Sequence, residues 1–290
     1  MYSVREIKTL DYLADKNRLI VAGMYLKNDH IAFVDRKNSV LIVTNTENQS
    51  FRELDLVQLL PDQYRAKNAK NIPKPSDVNK GFEDDQLLIT YTNTYTGNDF
   101  SLAIACRFDV GMIELGPPLH VVRINAWTRS VIAIDKDNVC ALTEYNVIIK
   151  NKDDNDDAQV TSYDRIKSDK GGLLMTDGQG NFYYGDGHSF VWCYWDGINI
   201  DERNRLTDNA QCSIKFPRGS AIEPTSGRIF ICTDLSFAIY SISSDWGDVK
   251  EEVSGKGKQY GDIDFNSHGN RFFTTFWKDN EWPILYGLEA

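Results

Sequence analysis

The chain has 290 residues, of which 41% are hydrophobic and 12% aromatic, enough to pack a core and too many for a disordered polypeptide. A net charge of −10 repels phosphate backbones and argues against nucleic acid as a partner. No apolar run approaches the roughly 20 residues of a membrane helix, so no membrane insertion is expected.

The first residues lack the apolar core of a signal peptide. The sequence therefore reads as cytoplasmic as numbered, or as secreted if a leader was removed before Met1. Residues 3–10 alternate apolar and polar positions, as a half-buried strand does. Residues 19–54 hold four short runs of Val, Ile, Thr and Phe, split by Asn28-Asp29 and by Arg36-Lys37-Asn38. That is one four-stranded meander. Residues 54–70 carry the only helix-like spacing, cut short by Pro61. Residues 62–85 are polar, contain Pro73 and Pro75, and read as a long surface connection. Residues 87–92 and 101–106 supply a second meander with its turn over 94–99.

Later turns at Asp137-Asn138, Gly178-Gln179-Gly180, Thr225-Ser226-Gly227 and Ser267-His268-Gly269 recur at propeller-blade spacing, roughly 40–50 residues. Residues 171–242 show the pattern most clearly: an apolar run, a Gly-bearing turn, a run ending in Asp, then an aromatic run, twice over. Counting these units gives six. The last unit is one strand short and the N-terminus has one to spare, so the first strand is predicted to close the ring and remove its edge. The fold class expected is all-β, a six-bladed β-propeller with four-stranded blades, one domain over residues 1–290.

Residues 151–157 form an acidic stretch that lacks the Asp-x-Asp-x-Asp-Gly register of a calcium loop, and read as a solvated hairpin tip. Calcium is thus without a clear motif, and no cofactor is expected. Cys106, Cys140, Cys193 and Cys232 lie in apolar runs and read as reduced core thiols. No Cys/His pair has zinc spacing. There is no phosphate-binding Gly-Lys loop and no GxSxG elbow.

Aromatic residues concentrate in one blade. Strand alternation places Phe190, Trp192 and Tyr194 on one sheet face and Val191, Cys193 and Trp195 on the other. Packing between blades accounts for such rings, and a stacking platform for an aromatic or cationic ligand is the functional alternative. Asp186 reads either as a seat for a cation or as a turn residue. The candidate ligand-binding set is Asp186, His188, Trp192, Tyr194, Trp195 and Trp277.

The strand Gly180-Asn181-Phe182-Tyr183-Tyr184-Gly185, followed by Phe190 through Asp196, resembles the yellow / major royal jelly protein family, as do Phe216-Pro217 and Ile229-Phe230-Ile231 in the next blade. The resemblance covers about a third of the chain. It implies a six-bladed propeller and, in some members, binding of biogenic amines near the central channel. No residue role is carried over.

The expected function is a non-enzymatic binding module, holding a protein partner or a small aromatic or amine ligand at a propeller face or channel mouth. The alternatives are a metal-dependent hydrolase or isomerase with its site in the channel, and a lectin.

Overall fold

The computed structural model describes residues 3–65, 72–93, 100–144, 146–154, 161–164, 172–207, 213–254, 257–276 and 281–289. The turn at 94–99, Cys212, Trp277 and residues 155–157 of the acidic stretch lie outside the described residues. Six four-stranded antiparallel sheets form a six-bladed propeller. Strand β1 (Ser3–Thr9) belongs to the last blade. Blade one is β2 (Ile20–Tyr25), β3 (His30–Asp35), β4 (Val40–Asn45) and β5 (Ser50–Asp55). Blade two is β6 (Lys74–Lys80), β7 (Gln86–Asn93), β8 (Phe100–Asp109) and β9 (Glu114–Ile124). Blade three is β10 (Thr128–Ala133), β11 (Asn138–Thr143), β12 (Asn146–Asn151) and β13 (Thr161–Asp164). Blade four is β14 (Met175–Thr176), β15 (Asn181–Asp186), β16 (Ser189–Trp195) and β17 (Ile200–Thr207). Blade five is β18 (Pro217–Ile222), β19 (Ile229–Thr233), β20 (Ala238–Ile242) and β21 (Val249–Ser254). Blade six is β22 (Tyr260–Phe265), β23 (Arg271–Phe276) and β24 (Ile284–Glu289), with β1 as its outer strand.

The expected closure is present. β1 pairs antiparallel with β24, from Ser3 opposite Glu289 to Thr9 opposite Ile284. Turn chemistry follows the sequence: Asn28 and Asp29 adopt φ of 60° and 54°, a backbone state that Asn and Asp tolerate best after Gly.

The two faces of β16 part as the alternation predicts. Val191, Cys193 and Trp195 join one apolar cluster with Phe182 and Tyr184. Phe190 and Trp192 join another with Tyr183 and Ile231 of blade five. Cys106, Cys140, Cys193 and Cys232 are buried and unpaired, and burial raises all four thiols. Among the described residues of the helix-like stretch, helical structure is a 3-10 turn at Val57–Leu59 and one helical turn at Asp62–Arg65, and residues 66–70 lie outside the description.

The surface connection expected over residues 62–85 is corrected. Its second half is β6, the inner strand of blade two, in which Pro75, Ser76, Asp77 and Val78 are buried. Polar side chains are satisfied here by the neighbouring blade: Ser76 Oγ donates to Arg129 O at 2.7 Å and Ser130 Oγ donates to Asp77. Proline is tolerated because the innermost strand is a sheet edge.

The inner strands share one further feature. In blades one, two, three, five and six the pairing of first and second strand slips near its start, at Ile20/Ala22, Pro75/Asp77, Thr128/Val131, Pro217/Ser220 and Tyr260/Ile263. Such bulges bend the strand and re-aim side chains. Repeated around the ring, they turn residues such as Asp77 and Asp262 towards the axis.

Candidate functional site: the central channel

A cavity of about 640 Å³ lies on the axis and takes wall residues from all six inner strands or the turns after them. Its sides are apolar, with Met24, Ile132, Leu174, Met175, Ile222 and Ile263 among them. Five aspartates and two lysines break that surface: Asp135, Asp177, Lys80 and Lys136 lie in or beside the turns after the inner strands, and Asp77, Asp262 and Asp264 lie on the strands themselves.

Asp77 is 2% exposed. It accepts from Ser130 Oγ, from Asn79 Nδ2 at 2.7 Å and from Val78 N at 2.8 Å. Burial outweighs these bonds and pushes its carboxyl up to about 7. Asp262 accepts Gly23 N on Oδ2 and Ile263 N on Oδ1, both at 2.9 Å. Burial, and next the charge of Asp77, hold it well above the usual carboxylate range. Asp264 accepts Tyr25 N at 2.7 Å and Phe265 N at 2.9 Å, and burial raises it to about 6.

The bonds from Gly23 and Tyr25 cross from blade one to blade six, so Asp262 and Asp264 also clamp the seam that β1 closes. Gly219 makes the close approach on the other side. A Cβ there would stand 2.6 Å from Asp262 Cα. Ser220, beside it, lines the cavity with a buried hydroxyl that has no hydrogen-bond partner among the described residues.

Chemically, the channel is a slot walled by apolar and polar groups together, with carboxyl groups whose ionised forms are penalised by burial. A cation arriving there relieves that penalty. Carboxyl groups near 6 and 7 also exchange protons readily at neutral pH. Among the described residues no group of three or more His, Cys, Asp or Glu is arranged to hold a metal ion.

The residues singled out from the sequence lie elsewhere. Of the five that are described, none lines the cavity. Asp186, its side chain fully buried, accepts Arg205 Nη1 at 3.0 Å, so a guanidinium of the same blade sits beside it. His188 is exposed in the turn after Asp186, with its ring 5.3 Å from Phe216. Trp192 stacks between Tyr183 and Trp246, at 6.1 and 6.0 Å, and donates to Asn181 Oδ1 at 2.9 Å. Tyr194 lies under the Arg203 guanidinium at 5.1 Å. Trp195 faces the opposite way from Trp192 and donates to Asp135 Oδ2 at 3.2 Å, tying blade four to blade three.

Asp77, Asp262 and Asp264 escape a search for aromatic clusters or known motifs. The available signal was acidic residues inside the first run of a blade, as in Asp262-Ile263-Asp264-Phe265, where an apolar or small residue is expected.

No protein-family model matches the chain, and no curated protein matches it by sequence. Its likeness to solved structures is one of shape. The Cps50 (Swd1) β-propeller domain of Myceliophteria thermophila aligns over 100% of both chains with 9% identity and a TM-score of 0.65. A gluconolactonase of Xanthomonas campestris aligns over 95% of this chain and 88% of its own, with 10% identity and a TM-score of 0.60. Virginiamycin B lyase of Staphylococcus aureus covers 100% of this chain and 90% of its own, with 9% identity and a TM-score of 0.55. At such identities the likeness establishes a propeller fold and nothing of its activity.

Proposed function

We propose that the protein binds a small amine with an apolar body in its central channel. The ammonium group would sit at Asp77 and Asp262, and the body against the walls formed by Ile132, Leu174, Ile222 and Ile263. One observation carries the reading: two buried carboxyl groups, both pushed towards their neutral forms, face the same cavity. An arriving ammonium supplies the opposite charge that the fold withholds. The amine ligand implied by the yellow-like strands of blade four agrees with this chemistry.

The pH dependence follows from Asp77, raised to about 7. Below that pH the carboxyl is neutral and attracts an ammonium weakly. Above it the carboxylate forms and affinity rises. Calorimetric titration with tyramine at pH ~5.5 and ~8 is expected to show affinity at least several-fold higher at the upper pH, with protons released on binding at the lower pH. Asp262→Asn is expected to weaken binding about tenfold or more. Saturable binding that ignores both pH and Asp262→Asn would move the ligand out of the channel.

Asp77 and Asp264 also favour a second reading, acid–base catalysis at the same place, since groups near 6 and 7 are matched to neutral pH. Two of the similar folds, a lactonase and a lyase, are enzymes. Hydrolysis of δ-gluconolactone above the spontaneous rate, lost in Asp77→Asn, would favour this reading. Metal analysis of the purified protein tests its metal-dependent form.

A further inference from the structure

The opposite end of the channel carries the opposite charge. Arg129 and Arg218 each occupy the second position of an inner strand, β10 and β18, at the register slip that re-aims side chains. Arg36 joins them from the turn after β3, which returns to the same end of its blade. Hydrogen bonds show how the three ring the axis. Arg36 Nη1 donates to Pro75 O at 3.1 Å, and the next residue, Ser76, donates to Arg129 O at 2.7 Å. Leu174 N donates to Ser130 Oγ at 3.1 Å, and Leu173 N donates to Arg218 O. Arg36, Arg129 and Arg218 therefore bracket consecutive inner strands.

These guanidiniums feel one another. The Arg129 side chain is pushed down to about 9, first by burial and then by Arg218 and Arg36, against the opposing charges of Asp234 and Asp77. Asp234 engages Arg218 through Nε at 3.1 Å and Nη2 at 2.6 Å, and this pair is buried. Arg36 and Arg129 are half-buried, and Arg36 Nη2 also donates to Thr92 Oγ1 at 3.0 Å. Lys74, at the start of β6, adds a fourth cation there, donating to Ser39 Oγ at 3.0 Å. In a chain of net charge −10, four cations gathered at one mouth run against the overall field.

We propose that this mouth is an oxyanion-binding site, in which Arg129 and Arg36 take a phosphate or carboxylate group while the Arg218–Asp234 pair fixes the field behind them. The forked donors of arginine match both groups, and an anion relieves the crowding of like charges. Its ligand and its binding residues differ from those of the amine reading, although the charge of Arg129 reaches Asp77.

The test is titration with inorganic phosphate and with citrate, against sodium chloride at matched ionic strength, read by calorimetry and by the melting temperature. Saturable binding of either oxyanion, with a raised melting temperature, is expected, and the tighter of the two names the group. Arg129→Gln should weaken that binding at least tenfold. Its anion-free melting temperature should change little, because repulsion from Arg218 and Arg36 and attraction to Asp234 and Asp77 are removed together. Arg129→Lys, which keeps the charge and loses the fork, should fold as the parent does and bind the oxyanion with intermediate affinity. Amine titration of Arg129→Gln should still saturate, with its pH dependence moved upward because the Arg129 charge that lowers Asp77 is gone; loss of amine saturation would mean that the two mouths are one site. The proposal is overturned if neither oxyanion saturates. It is also overturned if Arg129→Gln and Arg129→Lys both melt lower without anion while binding is retained, since Arg129 is then a structural counter-charge.

Discussion

Blade four and the inner strand of blade two are both buried β-structure, held in opposite ways. Blade four buries rings: Phe182 and Tyr184 on one face of β15, Tyr183 stacked on Trp192 on the other. Strand β6 buries Ser76 and Asp77 and is held by hydrogen bonds to blade three. The first arrangement gains stability from area removed from water. The second keeps polar groups near the axis, where an ionised carboxylate costs stability while nothing is bound. Aromatic strands thus hold the ring together, and polar inner strands give its channel a chemistry.

Three substitutions would break or sharpen that contrast. The largest effect is expected for Phe182→Ala in blade four. Phe182 is 0% exposed, and truncation should cost about 3–5 kcal/mol in urea unfolding. Amine affinity measured well below the melting temperature should not change. A parallel loss of affinity would show that blade four supports the channel directly.

Gly219→Ala comes next, because it strikes where packing and site meet. The new methyl group meets the Asp262 Cα and the Gly261 carbonyl, neither of which can swing aside. About 1–3 kcal/mol should be lost, and amine binding should weaken with it as Asp262 is displaced. Full affinity in this variant would detach Asp262 from the site.

Asp77→Asn should have the smallest effect on stability and the clearest one on pH dependence. With its carboxyl raised to about 7, the native state keeps a proton that the unfolded chain releases near pH ~4. Stability from this group is therefore full below that range and falls as pH rises towards 7. Melting curves across this window should slope downward in the parent protein. They should flatten in Asp77→Asn, with a difference under about 1 kcal/mol at pH ~5. An unchanged slope would mean that Asp77 titrates normally.

Much of the ring was legible in the sequence because apolar runs and turn residues recur at blade spacing. The closing strand, the two faces of residues 190–195 and the buried thiols follow from alternation and counting. The channel was not legible, for a physical reason. An inner strand is an edge whose polar side chains are satisfied by the next blade, so residues 74–80 carry neither alternation nor an apolar run and resemble a connection. Asp262 and Asp264 sit in a recognisable strand, yet their orientation depends on a register slip that only pairing reveals. Trp192 and Trp195 drew attention by their size, and size is what blade packing uses.

The pairing of β1 with β24 also sets the order in which the molecule can assemble. Residues 3–9 leave the ribosome well before their partners, residues 284–289. Until then blade six has no outer strand, and Asp262 and Asp264 have no finished seam to clamp. The waiting segment is strongly charged, with Arg5, Glu6 and Lys8 along it, which discourages pairing with the wrong edge. Chain entropy is a minor obstacle, because each doubling of a closing loop adds only about 0.6 kcal/mol. Time is the larger one: the outer edge of blade six stays open until residues 284–289 have been made.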